Sequence, residues 1–146
     1  MPKKSKVTSF TTTEVLRIVG ASRHQLAYWD ETGLLSPSIK AASGRGSRRL
    51  YSLQDVIELK ILLRLLKSPL PLQRIHTSFR FIRERQEPVA SLIILTDGET
   101  IYLYQDENLL VDTLKHGQTV LRIAVQDLIA EVQEKVSEIS TAKNQS

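Results

Sequence analysis

Hydrophobic positions along the chain fall first in helical and then in strand-like periods. Thr11-Thr12-Thr13-Glu14 is a capping-box sequence, in which a threonine oxygen accepts from the N3 amide and the glutamate reaches back to the cap amide. Val15, Leu16 and Val19 then supply an apolar face, which Gly20 ends. Ser22-Arg23-His24-Gln25 is a second capping box, opening a helix to about Glu31, with Gly33 where a left-handed residue is needed. Two short helices joined by a Gly-Ala turn predict a helix-turn-helix. Pro37 disfavours the α region at Ser36, so residues 34–37 leave the second helix extended. Residues 38–51 hold Gly44, Gly46, Lys40, Arg45, Arg48 and Arg49 and end in the strand-like Arg49-Leu50-Tyr51, which predicts a two-stranded ribbon with a glycine-bearing tip.

Ser52-Leu53-Gln54-Asp55 caps a strongly apolar helix over about 53–67, with Val56, Leu59, Leu63 and Leu66. Pro69 stops it, and Pro71 suits the first turn of a further helix. There Leu72, Ile75, Phe79 and Ile82 form one stripe expected to be buried. Beyond Pro88 the pattern changes. Leu92–Leu95 is a short apolar run, Asp97-Gly98 a hairpin signal, and Ile101–Tyr104 alternates. A short helix near 108–115, a strand about 119–124 and a terminal helix about 126–138 complete the pattern. The expected fold is α+β. Residues 1–9 are expected as a flexible basic tail, 10–87 as a winged helix-turn-helix, 88–139 as a strand–helix module for effector, dimer or partner contact, and 140–146 as a disordered tail.

Composition narrows the function. At 146 residues the chain can hold one domain, or two of roughly 70 residues each. The sequence contains no cysteine, which removes disulfides, thiolate zinc sites and cysteine-based metal sensing. His24, His76 and His116 are scattered, with no carboxylate at ligand spacing, so no metal or other cofactor is expected. No phosphate-cradling loop or nucleophile elbow is present, so an enzyme is not expected. No apolar run is long enough to span a membrane, and no apolar signal-peptide core follows the basic start, so a cytoplasmic location is expected.

The net charge of +4 is unevenly divided. Residues 1–90 carry 16 Lys and Arg against 7 Asp and Glu, whereas residues 91–146 carry 4 against 9. A basic module joined to an acidic one suggests that the first half meets a polyanion. Double-stranded DNA fits, because a helix enters the major groove, about 12 Å wide, and reads base edges from its N-terminal residues. The second helix presents Arg23, His24 and Gln25 there, with Ala27 and Tyr28 one turn on. Leu26 and Trp29 face inward. Lys40, Arg45, Arg48 and Arg49 lie where a wing meets the backbone, and Tyr51 at its end is taken with them. Tyr102 and Tyr104 share one face of the later hairpin, either covering the sheet or a subunit contact or lining a pocket.

Thr12-Thr-Glu-Val-Leu, Gly20-Ala-Ser, Leu26-Ala-Tyr-Trp-Asp-Glu-Thr-Gly-Leu-Leu35-Ser-Pro and Arg48-Arg-Leu-Tyr-Ser-Leu-Gln-Asp-Val56, in that order, resemble the MerR family of transcriptional regulators. Pro71-Leu-Gln-Arg-Ile75 falls where that family has its fourth helix, so the resemblance covers about residues 10–84. It implies a homodimer that binds an inverted-repeat promoter site and changes how RNA polymerase engages it, close to the bacterial nucleoid. By position, Tyr28 and Arg49 match the family's recurrent helix-two tyrosine and wing arginine, both at the DNA backbone. Two departures stand out. Ala27 occupies a position where the family often has arginine, and Pro88 forbids the long coiled coil through which members commonly dimerise. The terminal helix, with Val125, Leu128, Ile129, Val132 and Val136, is the candidate replacement. An excisionase-like architectural factor and an antitoxin-type interaction protein are the competing functions. The acidic tail argues against the first, whose members are little more than the winged domain.

Overall fold

The computed structural model describes residues 9–39, 49–85, 89–96, 101–105 and 121–145. In chain order the described elements are β1 (Ser9–Thr11), α1 (Thr12–Val19), α2 (Arg23–Glu31), β2 (Leu50–Ser52), α3 (Leu53–Leu66) and α4 (Leu72–Glu84). A 3-10 turn at Val89–Ser91, β3 (Ile93–Thr96), β4 (Ile101–Tyr104), β5 (Leu121–Ala124) and α5 (Val125–Gln145) follow. Helices with two small antiparallel sheets make the fold α+β, as expected. Spatial proximity divides the chain into two compact units, residues 1–59 with 131–146, and residues 60–130. These divisions fall inside α3 and α5.

In the first unit, local hydrogen bonding sets where each helix begins and ends. The Thr11 N–H donates to Glu14 Oε1 at 3.0 Å, and the Glu14 N–H to Thr11 Oγ1 at 3.3 Å. Ser22 and Gln25 repeat the arrangement at 2.9 and 3.1 Å. Each box satisfies amides that a helix start otherwise leaves open. Gly20 closes α1 with φ +78°, and Gly33 follows α2 with φ +74°, a region that L side chains rarely occupy. After Gly33 the Leu35 N–H donates back to the Trp29 carbonyl at 3.2 Å, which turns Leu34 and Leu35 inward, both buried.

One strand was not expected. Ser9 falls in β1 rather than in a flexible tail, and β1 pairs antiparallel with β2 in the register Ser9↔Ser52, Phe10↔Tyr51 and Thr11↔Leu50. Phe10 and Tyr51 are both fully buried. Three residues are too few to show a period, and the partner lies far along the chain. The Ile39 N–H donates to the Leu50 carbonyl at 3.2 Å, which closes the base of the expected ribbon. Its tip, with Lys40, Gly44, Arg45, Gly46 and Arg48, lies outside the described residues.

Asp55, only 1 % exposed, ties that base to α3. Its Oδ2 accepts from the Ser52 N–H at 2.9 Å, the Ser38 N–H at 2.8 Å and the Ser38 hydroxyl at 2.7 Å. The Asp55 N–H in turn donates to Ser52 Oγ at 3.0 Å, completing a third capping box. A carboxylate removed from water is tolerated because donors replace its hydration.

In the second unit, Ile61, Leu62 and Leu65 of α3 are buried, while Leu63 and Leu66 are only partly so. Of the expected stripe Val56 and Leu59 are fully buried, but in the second half of the helix, where Ile61 to Leu66 are apolar except Arg64, burial falls on the neighbouring positions. Ile75, Phe79 and Ile82 of α4 are buried as expected, but Leu72, on the first turn, is 56 % exposed, and Phe81 is exposed as well. Helix α4 ends at Glu84, where Arg85 turns extended at ψ 144°.

The later sheet has the order β4-β3-β5, and all four residues of the central β3 are buried. Ile93 pairs with Tyr104 and Leu95 with Tyr102, so both tyrosines share a face with these two core residues and pack against them. Their rings lie 6.4 Å apart. They cover the sheet. Asp97-Gly98 and the helix expected near 108–115 lie outside the described residues. Helix α5 starts at Val125, whose N–H donates to the Leu92 carbonyl at 3.0 Å, and runs through Gln145 into the stretch expected to be disordered.

Replacing Asp55 with Ala removes a cap and strands buried donors, a loss of about 3 kcal/mol in a urea unfolding titration. Asp55→Asn keeps one accepting oxygen and should lose less. Alanine within about 0.5 kcal/mol of the parent, the range of ordinary surface substitutions, would show that the hub is dispensable.

Candidate nucleic-acid interface

The capping box at Ser22 fixes the first turn of α2 with its side chains directed outward. Arg23 and His24 are exposed, Gln25 is half-buried, and Tyr28, one turn on, is 48 % exposed. Leu26 and Trp29 are buried, as the spacing predicts, and hold the helix on its domain. The helix thus presents a polar tip on an apolar footing.

Beside that tip lies an open cleft of about 540 Å³ lined by Thr11, Thr12, Thr13, Arg23, Leu26, Ala27 and Arg49. Three hydroxyl-bearing residues and two guanidinium groups meet there, from the start of α1, the face of α2 and the residue preceding β2. Hydroxyls and guanidinium forks are the groups that hydrogen-bond phosphate oxygens. The two arginines that the structure describes at this face therefore fall on one side of the molecule. Each is already held: Arg23 Nη2 donates to Thr13 Oγ1 at 2.9 Å, and Arg49 Nε donates to Asp30 Oδ2 at 2.7 Å.

Two sequence expectations change. Tyr51 has no exposed surface, and its hydroxyl has no hydrogen-bond partner among the described residues. It packs in the core opposite Phe10 and is not available to a duplex. Burial pushes its phenol up to about 12, with Arg49 opposing and Asp30 and Asp55 reinforcing the shift. Gln25 remains at the helix tip, but its Oε1 is engaged by the Ser22 amide. Its amide NH₂ can donate outward, whereas a bidentate pairing with adenine would cost the cap.

Lys40, Arg45 and Arg48 lie outside the described residues. Thr13 and Asp30 were missed. Thr13 reads as part of a helix start and Asp30 as one acid in Trp-Asp-Glu; only a contact with a distant arginine distinguishes either. Among the described residues no group of three His, Cys, Asp or Glu is placed to hold a metal, and no helix is long and apolar enough to cross a membrane.

Two capped helices joined through Gly20 and Ala21, with the second carrying an exposed polar tip, define a helix-turn-helix protein. The sequence profile of MerR HTH family regulatory proteins matches residues 10–81, and this part of the chain belongs to that family. The chain is also 38 % identical, over 117 residues, to an uncharacterised HTH-type transcriptional regulator of Mycobacterium bovis and to two of Mycobacterium tuberculosis. The alignment covers 80 % of this chain and 52 % of each relative, so the chain spans about half their length. At 117 residues it is longer than the family segment, so the likeness extends past the helix-turn-helix domain.

Tyr51 makes the fold sensitive to alkali. The unfolded chain releases its phenol proton near pH 10, while the folded chain keeps it to about 12, so stability falls as pH rises through that window. Tyr51→Phe should abolish this part of the decline and cost nothing at neutral pH, since no partner is lost among the described residues. Urea midpoints at about pH 8 and about pH 11 test this, and equal declines in parent and variant would contradict it.

Proposed function

We propose that the chain is a DNA-binding transcription regulator that acts as a homodimer on an inverted-repeat promoter site in the bacterial cytoplasm. The observation that carries the reading is the cleft shared by Arg23, Arg49 and the threonines of α1, beside the exposed tip of α2. A duplex laid across this face places the tip in the major groove and the cleft against the flanking strand. His24 and the Gln25 amide meet base edges; Tyr28 and Arg49 meet the sugar-phosphate backbone. Lys40, Arg45 and Arg48, which lie outside the described residues, are proposed on their charge to add further backbone contacts.

Dimerisation is assigned to α5. Val125, Leu128, Val132 and Ile139 are buried, with Ile129 and Val136 partly open to solvent. The buried four are used by the chain's own core, so Ile129 and Val136, seven residues apart on one helix face, are the apolar positions left to meet a partner helix. A regulator is favoured over an architectural recombination factor because the likeness to the mycobacterial regulators continues beyond the helix-turn-helix segment.

Fluorescence polarisation with genomic promoter fragments tests the function. Binding should fall steeply with salt, by about 10³–10⁵ between 50 and 200 mM for 6–10 neutralised phosphates. Arg49→Ala should weaken binding to every duplex about equally and lower the salt slope by about one. Affinity that is indifferent to salt, or equal for promoter and random duplexes, would remove the reading. Gln25→Glu keeps the cap acceptor but replaces the outward NH₂, so base preference should change at one position per half-site. Unchanged preference everywhere in a selection from randomised duplexes would remove Gln25 from base reading.

A further inference from the structure

An acidic side chain on a surface meant for phosphate is normally a defect, because it repels the ligand and lowers the local positive potential. Asp30 is such a residue. It projects from α2 two positions after the exposed Tyr28, and its side chain keeps 17 % of its surface. Its Oδ2 lies 2.7 Å from Arg49 Nε, and the Arg49 side chain is 31 % exposed.

We infer that Asp30 is a positioning residue for DNA binding: it holds Arg49 by one edge, so that the opposite edge of the guanidinium is offered to a backbone phosphate. The inference rests on the duplex-binding reading above. The contact at Nε is what gives the geometry this meaning. A guanidinium has five N–H donors in a fixed planar fork, and a bond at Nε engages only one of them. The planar fork stays oriented while its terminal nitrogens remain able to grip a phosphate oxygen pair. Arg49 lines the cleft with the threonines of α1, so the oriented group borders the proposed phosphate position. Arg23 is held in the same manner across the cleft, by one nitrogen on Thr13 Oγ1. Without Asp30, Arg49 would be a long side chain immediately before β2 with its rotamers free, and ordering them on binding would weaken the complex.

Opposite signs separate this role from simple electrostatics. Removing an acid that only repels DNA tightens binding, whereas removing one that orients Arg49 weakens it despite the added positive charge. The full-length chain is titrated against a mixed-sequence B-form duplex of about three helical turns, which suits a contact that carries no sequence information. Asp30→Ala should weaken binding about 2- to 10-fold, the range expected for one newly mobile rotamer-rich side chain. Asp30→Asn, which keeps an acceptor for Nε, should recover most of that loss. In an Arg49→Ala background, Asp30→Ala should cause no further weakening. Should Asp30→Ala disturb the fold, the asparagine variant and the Arg49 Nε–H resonance of the free parent decide instead. That resonance should report a rotationally restrained guanidinium in the parent and in Asp30→Asn, and a freely rotating one in the parent would overturn the Asp30 role. A parent that fails to bind the duplex overturns the DNA reading itself. A parent that binds, with Asp30→Ala equal or tighter, or with losses additive to those of Arg49→Ala, overturns the Asp30 role alone.

Discussion

The carboxylate of Asp55 is the constraint around which the first unit is arranged. It is removed from solvent and joins two segments that are distant in sequence, through the Ser38 amide and hydroxyl on one side and the Ser52 amide on the other. Because Ser52 also ends β2, the same group fixes the strand that pairs with β1 and the first turn of α3. Arg49 immediately precedes that strand, so its backbone is set by the register of β2 and its side chain by Asp30. A local capping interaction thereby becomes a long-range one. The ribbon base, the cap of α3 and the placement of a cation beside α2 follow from one oxygen accepting several donors.

The same economy governs α2. Its first turn has a folding task and a recognition task, and the residues divide them. Ser22 and the Oε1 of Gln25 satisfy the helix start, leaving Arg23, His24 and the Gln25 NH₂ directed outward. Leu26 and Trp29 carry the burial that holds the tip in place. Arg23 and Arg49 are each restrained through a single nitrogen, so ordering entropy is spent in folding and less remains to be lost on binding.

Much of this could be read from the sequence where the governing physics is local. Thr11 with Glu14, Ser22 with Gln25 and Ser52 with Asp55 each announce a helix start within four residues, and Gly20 and Gly33 mark the required left-handed positions. The apolar run at 92–95 and the alternation at 101–104 likewise gave strands in the expected places. What could not be read is non-local. Strand β1 exists only because Phe10 meets Tyr51, and Tyr51 consequently belongs to the core. Asp30 and Thr13 acquire their roles from arginines elsewhere in the chain. In the second half of α3, where Ile61, Leu62, Leu63, Leu65 and Leu66 crowd together, periodicity discriminates poorly, and Leu62 and Leu65 are buried in place of Leu63 and Leu66.

The central claim is that the tip of α2 and the cleft at Arg49 form one face that meets a duplex. Nitrogen-15 NMR of the labelled chain during titration with promoter DNA tests it most directly. The expected result is that the amides of residues 22–28 and the Arg49 Nε–H shift together and early, while those of β3 and β4 stay in place. Shifts confined to the β4-β3-β5 sheet, with the α2 tip and Arg49 unmoved, would contradict it.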